Sequence, residues 1–286
     1  MRVVSLLPSA TEILFAIGAG PEVVGITHEC DYPPQAQGLA RLTSSALPAI
    51  AESAEIDRHV RRSLHAGSSL YHLDTDLLER LHPDVIITQE LCAVCAVSYE
   101  IVDRAARALT GDPRVISLEP STLADVYANI MTVGELTGRQ TGAAALVEGL
   151  RQREAAVLSR VASRPRPRVL LLEWTDPPMS AGHWTPGLIQ AAGGDPVLAH
   201  AESNSQRLTD EDIFAADPDV IVLAPCGFDL ARTREAASQL LRQPGWNELR
   251  AVACGALACV DGNAYVNRPG PRLLDTMEIF AQIFHG

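Results

Sequence analysis

The hydrophobic pattern of this chain contains one strand-sized phrase twice. Leu81-His82-Pro83-Asp84-Val85-Ile86-Ile87 returns as Ala216-Asp217-Pro218-Asp219-Val220-Ile221-Val222. Each copy follows a helix-like run, Asp76 to Arg80 and Asp210 to Ala215, and each apolar strand leads into a loop containing cysteine. Arg2-Val3-Val4-Ser5-Leu6-Leu7 is echoed by Arg168-Val169-Leu170-Leu171-Leu172-Glu173, and Ala16-Ile17-Gly18-Ala19-Gly20 by Ala191-Ala192-Gly193-Gly194. A pattern that recurs only twice predicts two similar α/β lobes rather than a solenoid, which needs more repeats than that. Clefts between lobes are where ligands usually bind.

The local signals agree with that organisation. Ser9-Ala10-Thr11-Glu12 has the form of a capping box, Ser9 at the cap and Glu12 at the matching acidic position. It predicts a helix with Ile13, Leu14 and Ile17 on one face, stopped by Gly18-Ala19-Gly20. Val23 to Thr27 reads as a buried strand, Ser98 to Leu109 as a helix and Arg114 to Leu118 as another strand. Helices alternating with apolar strands imply parallel sheets. From Leu123 to Val161 there is no strand signal. Leu146, Leu150, Val157 and Val161 recur at helical spacing within Ala143 to Val161, and Pro165 and Pro167 end that helix. The expected architecture is an N-terminal α/β lobe over 1–120, a helical connection over 121–164 and a C-terminal α/β lobe over 165–286. A long helix joining the lobes would act as a stiff spine and limit hinge motion.

Composition narrows the class. The chain has 286 residues, long for one core and comfortable for two. No apolar run approaches the roughly 18 residues of a membrane span. A net charge of −12 without any Lys/Arg cluster argues against nucleic acid as a partner, and is compatible with docking on a basic protein surface. Met1-Arg2 runs directly into the first strand with no secretory signal, so the expected compartment is the cytoplasm, or the periplasm or exterior if the true start lies upstream. The six cysteines are then expected as free thiols.

In open parallel sheets ligands bind beyond the carboxyl ends of the strands, so the residues after each strand form the expected lining. These are Ser9, Ala10 and Thr11; His28, Cys30 and Tyr32; Cys92 and Cys95; Trp174; His183 and Trp184; Cys226 and Phe228; and Tyr265 with Arg268. In a chain only 5% aromatic, Tyr32, Trp174, Trp184, Phe228 and Tyr265 all fall at strand ends. They read either as loop anchors or as stacking surfaces for a large flat ligand. Ser9 and Thr11 read as helix-capping groups, beside amides able to hold an anionic group. His28, Cys30, Cys92 and Cys95 form a thiolate/imidazole set of the kind that suits zinc or another soft-ligand metal, or else are partly buried loop residues. Cys254 and Cys259, in the apolar stretch Ala253 to Val260, are expected to pack in the core. There is no Gly-x-Ser-x-Gly elbow, phosphate loop or His-Glu-x-x-His. A catalytic Cys/His pair (Cys30 or Cys92 with His28 or His183) stays open, but nothing orients one, so no enzyme is expected.

The run from Ser5 to Leu14, the Asp31-Tyr32-Pro33-Pro34 segment, Pro177-Pro178 with Ser180-Ala181-Gly182, and Arg268-Pro269-Gly270-Pro271-Arg272 resemble the cobalamin-binding members of the helical-backbone class of ABC-importer substrate-binding proteins, a class shared with iron-siderophore and haem receptors. The resemblance covers nearly the whole chain. It implies a rigid two-lobed receptor that holds vitamin B12 or a related corrinoid, chiefly by aromatic contacts. Tyr32 and Tyr265 are the best-matched aromatics, with Trp174 and Trp184 as neighbours. It also implies docking on an ABC-transporter permease through one acidic residue per lobe, with Glu100 at the first position. Haem or a siderophore is the alternative ligand, and a Cys/His metal-handling or thiol-dependent protein using Cys30, Cys92, Cys95 and Cys226 is the alternative class. The His28-Glu29-Cys30 and Cys92-Ala93-Val94-Cys95 segments depart from the exported B12 receptors, and a His or Cys there could ligate cobalt.

Overall fold

The computed structural model describes residues 1–45, 52–65, 70–89, 99–109 and 111–286. Two compact units divide the chain inside one long helix, after Glu148, except that Glu52–Asp57 and Pro120–Ala124 belong to the second unit.

The first unit is built on a parallel sheet. Its strands and helices run β1 (Val3–Ser5), α1 (Pro8–Ala16), β2 (Val23–Ile26), β3 (Ala40–Arg41), β4 (Thr43–Ser45), α2 (Ser53–His65), β5 (Tyr71–Leu73), α3 (Thr75–Leu81), β6 (Val85–Thr88), α4 (Tyr99–Ala108) and β7 (Arg114–Ser117). α5 (Leu123–Thr137) and α6 (Gln140–Val161) follow, so the stretch without strand signal is helical. The sheet order is β3-β2-β1-β6-β7, every pair parallel, and β4 and β5 form a small antiparallel pair. β1 and β6 are buried along their whole length, as parallel strands covered on both faces must be.

α1 starts differently from its sequence signature. Leu7 is the N-cap in extended conformation, Pro8 takes the first helical position, and no side chain caps the helix. Proline has no N–H to satisfy and its ring presets a helical φ, so the helix begins one residue before Ser9 and the capping box does not form. Gly18 ends the helix region with φ +84°, a conformation that favours glycine.

The second unit repeats the plan. β8 (Arg168–Thr175), β9 (Pro178–Ser180), α7 (Thr185–Ala191), β10 (Asp195–Pro196), α8 (Asp210–Ala216), β11 (Val220–Leu223), α9 (Leu230–Leu240), α10 (Arg250–Ala253), β12 (Leu257–Cys259) and α11 (Leu273–His285) give the order β10-β8-β11-β12, all parallel, with β9 antiparallel on β8. Strand for strand this matches β2-β1-β6-β7. Gly193, with φ +85°, stands after α7 as Gly18 stands after α1. The core gathers Leu170, Leu172, Ile213, Ile221, Leu223 and Trp246, all essentially without solvent exposure. Each such side chain contributes about 1.5–3 kcal/mol by leaving water. Cys254 does not join this core: it is exposed at the end of α10, before Gly255 with φ +73°, while Cys259 on β12 is half-buried and packs against the core.

Candidate functional site

Strand order reverses between β1 and β6 in the first unit and between β8 and β11 in the second, and ligands of open parallel sheets bind at such switch points. The ends of these strands and of their neighbours β2, β9 and β12, with the segments that follow them, carry the described candidate residues.

In the first unit a buried polar knot ties the ends of β1 and β2 to α1. Thr11 Oγ1 donates to Ser5 Oγ at 2.8 Å and lies 3.0 Å from Cys30 Sγ. Ser9, Ala10 and Thr11 are themselves buried in α1. Beside this knot, His28 follows β2 and is half-buried. Its Nδ1 lies 2.7 Å from Thr43 Oγ1, its ring centroid is 5.5 Å from that of Tyr71, and Tyr71 donates its hydroxyl to Glu29 at 3.4 Å. Burial lowers the His28 pKa, and the Arg41 guanidinium, which donates to the His28 carbonyl, lowers it further. At the end of β6, Thr88 Oγ1 is buried without a partner among the described residues. Tyr32 is 44% exposed and Glu100 stands exposed in the first turn of α4. Cys92 and Cys95 lie outside the described residues. Among the described residues, no three His, Cys, Asp or Glu side chains converge as a metal-ligand set.

In the second unit the structure brings predicted aromatics together. Trp174 near the end of β8 meets Phe228 edge-on at 5.3 Å between centroids, and the Arg232 guanidinium lies 3.9 Å above the Phe228 ring. Phe228 is buried, and Trp174 Nε1 donates to the Asp176 carbonyl at 3.1 Å. His183 and Trp184 stack at 5.7 Å, Trp184 Nε1 donates to the Val266 carbonyl at 2.9 Å, and Tyr265 is the next residue back along that turn. Burial lowers the His183 pKa. Arg268 is buried and donates to Asn263 Oδ1 at 2.8 Å, while Arg272 lies 5.6 Å from the Tyr265 ring centroid.

Sequence reasoning missed four contributors. Arg232 was visible as an Arg one helical turn beyond Phe228. Glu173 accepts from Ser205 Oγ and, at 3.3 Å, from the Gly182 N–H, a partnership set by the β8–β9 turn. Thr43 and Tyr71 reach His28 only because β4 pairs with β5, which no periodicity announced.

Two parallel-sheet units, each presenting polar and aromatic side chains near the carboxyl edge of its sheet, define a two-unit α/β ligand-binding protein. The model of the periplasmic binding protein family matches residues 3–263, and the chain belongs to that family. It is 26% identical over 290 residues to a cobalamin-binding protein of Halobacterium salinarum, covering 99% of this chain and 69% of that one. Among solved structures, the periplasmic vitamin B12-binding protein of Vibrio cholerae superposes with TM-score 0.72 at 22% identity, over 99% of this chain and 96% of that one. A periplasmic heme-binding protein from Pseudomonas aeruginosa superposes with TM-score 0.73 at 23% identity, over 99% and 92%. No helix among the described residues is long and apolar enough to cross a membrane.

Proposed function

We propose that this protein is a substrate-binding protein for cobalamin or a related corrinoid, with the loops at the carboxyl edges of its two sheets supplying the contacts. The observation that carries the reading is the half-buried Trp174 at the β8/β11 switch point, held edge-on by the buried Phe228, whose own ring face is covered by Arg232: an aromatic side chain positioned to meet a large flat ring. The relative named for cobalamin supplies the ligand class. On this reading Tyr32, Trp184 and Tyr265 add aromatic contacts, and Arg268 adds a polar one.

A second reading, haem, is favoured by the likeness to heme-binding structures. The chemistry of the second unit weighs against it. Glu173 is a carboxylate held by Ser205 and Gly182 at the end of β8. On the corrinoid reading it would accept a hydrogen bond from an amide at the ligand's rim, and it would repel the propionates of haem. The proposal does not extend to a separate metal ion, because no three His, Cys, Asp or Glu side chains converge among the described residues. It includes no catalytic step. As a substrate-binding protein it would pass its ligand to an ABC-transporter permease, with Glu100 as one acidic contact.

The test is retention of colour after desalting, with aquocobalamin and with haemin in parallel. Stoichiometric retention of cobalamin with loss of haemin is the expected result. Retention of haemin alone would replace this reading with the second.

A further inference from the structure

We infer that His28 Nε2 is an axial ligand for the cobalt of the bound corrinoid, and that Thr43 is the positioning residue that sets its tautomer. The inference rests on the corrinoid reading above and concerns one atom of the first unit.

His28 stands at the carboxyl end of the sheet, half-buried against Tyr71. Only one of its ring nitrogens is committed. Nδ1 lies 2.7 Å from Thr43 Oγ1 and 3.4 Å from Thr27 Oγ1, while Nε2 has no hydrogen-bond partner among the described residues. An imidazole held through one nitrogen with the other open is the arrangement in which histidine ligates metals, the held nitrogen fixing ring orientation.

The proton count supports the assignment. Thr43 Oγ1 accepts the His28 backbone N–H at 3.0 Å and lies 2.7 Å from Thr27 Oγ1. A hydroxyl oxygen has two lone pairs and one proton. With one lone pair taken by the backbone, two arrangements remain. In the first, Nδ1–H donates to Thr43 and Thr43 donates to Thr27, leaving a bare lone pair on Nε2. In the second, Thr27 donates to Thr43 and Thr43 donates to Nδ1, so Nε2 carries the proton. Ligation selects the first. The exchange is balanced without redox change: the Nε2 lone pair forms the Co–N bond, the Co–OH2 bond breaks, water leaves, and the ring proton stays on Nδ1 against Thr43.

The experiment compares aquocobalamin, whose axial water exchanges, with cyanocobalamin, whose cyanide imidazole does not displace. Each is bound to wild type, His28→Ala and, as a control at an exposed histidine outside the candidate site residues, His200→Ala, desalted, and read by visible absorption. Wild type is expected to retain both, with shifted bands for aquocobalamin only. His28→Ala should retain both and lose the shift, while His200→Ala keeps it. Thr43→Val should lower the shifted fraction and Thr43→Ser should restore it, which a purely structural role would not do. If His28→Ala fails to hold cyanocobalamin, His28→Gln is read in its place. Retention of both cobalamins by wild type with unshifted bands, or a shift that survives in the His28 variant, overturns the inference alone. Failure of wild type to retain either cobalamin overturns the corrinoid reading and this inference with it.

Discussion

The backbone N–H of Arg2 donates to Asp84 Oδ2 at 2.6 Å, fastening the start of β1 to the turn that precedes β6. The second unit contains the same bond, from Arg168 N–H to Asp219 Oδ2 at 2.8 Å. In both, the arginine side chain also donates to backbone carbonyls at the end of the preceding helix, Leu81 in one case and Ala216 in the other. That helix ends in a residue with positive φ, His82 or Asp217. The aspartate of the repeated Pro-Asp-Val phrase is thus the clasp that holds two neighbouring parallel strands at their amino ends.

Removing either clasp is expected to have a similar, modest cost. Asp84→Ala and Asp219→Ala each delete a charge-assisted hydrogen bond, at an exposed site for Asp84 and a half-buried one for Asp219 that also pairs with Arg250, worth about 1–2 kcal/mol. Urea denaturation of the two variants measures it. Asp→Asn, which keeps an acceptor oxygen, should recover a good part of the loss. A large loss for one and none for the other would show that the two clasps are not equivalent.

The aromatic pair separates binding from folding. Trp174 is half-buried and its truncation leaves most of the core intact, so Trp174→Ala should weaken cobalamin binding by about tenfold or more with little change in stability. Phe228 is 4% exposed, so Phe228→Ala should cost about 3 kcal/mol of stability in addition to any loss of affinity. Equilibrium titration beside denaturant unfolding distinguishes the two effects.

Much of this architecture is legible in the order of the amino acids. The repeated Pro-Asp-Val phrase locates β6 and β11, and the Gly18 and Gly193 stops locate the ends of α1 and α7, because buried parallel strands and glycine caps leave strong local signals. The placement of Trp174 and Phe228 at one switch point also follows from strand-end counting. The start of α1 does not: Pro8 outcompetes Ser9 for the first turn. Cys254 departs from its expected place in the core because an apolar neighbourhood in sequence says nothing about which side of a turn faces water. The His28–Thr43–Tyr71 cluster depends on a short antiparallel pair of polar and aromatic residues, whose partnership is set by tertiary contact.

Acidification should destabilise the second unit through His183. Burial lowers its pKa from the ordinary 6.5. Above that value the imidazole is neutral in both folded and unfolded chains and has no effect. Below it the unfolded chain takes up a proton that the folded chain refuses, so stability falls as pH drops from about 6.5 through the lower folded value. His183 has φ +51°, so asparagine is the replacement its backbone accepts best. Denaturant midpoints between about pH 7.5 and 5.5 should fall less steeply in His183→Asn than in wild type. Some slope should remain, since the His28 pKa is lowered in the same direction.

Arg153 makes the opposite kind of contribution, at the acid end. It reaches from α6 to α11, donating through Nη2 to Asp275 at 2.5 Å and through Nε and Nη2 to the two oxygens of Glu278 at 2.9 and 2.8 Å. This fork raises the arginine pKa and holds Glu278 below its ordinary 4.5. All three side chains are more than a third exposed, so screening limits the ion pairs to about 1 kcal/mol together. Because the folded Glu278 pKa is depressed, its share is present above pH 4.5 and is lost as pH falls through the lower folded value. Arg153→Ala should therefore lower stability at neutral pH and flatten the decline below pH 4.5. Arg153→Lys should recover only part of the loss, because an ammonium cannot engage both Glu278 oxygens as the planar fork does. If salt at about 1 M leaves the wild-type and Arg153→Ala midpoints as far apart as at low salt, the contribution is packing of the arginine stem rather than charge.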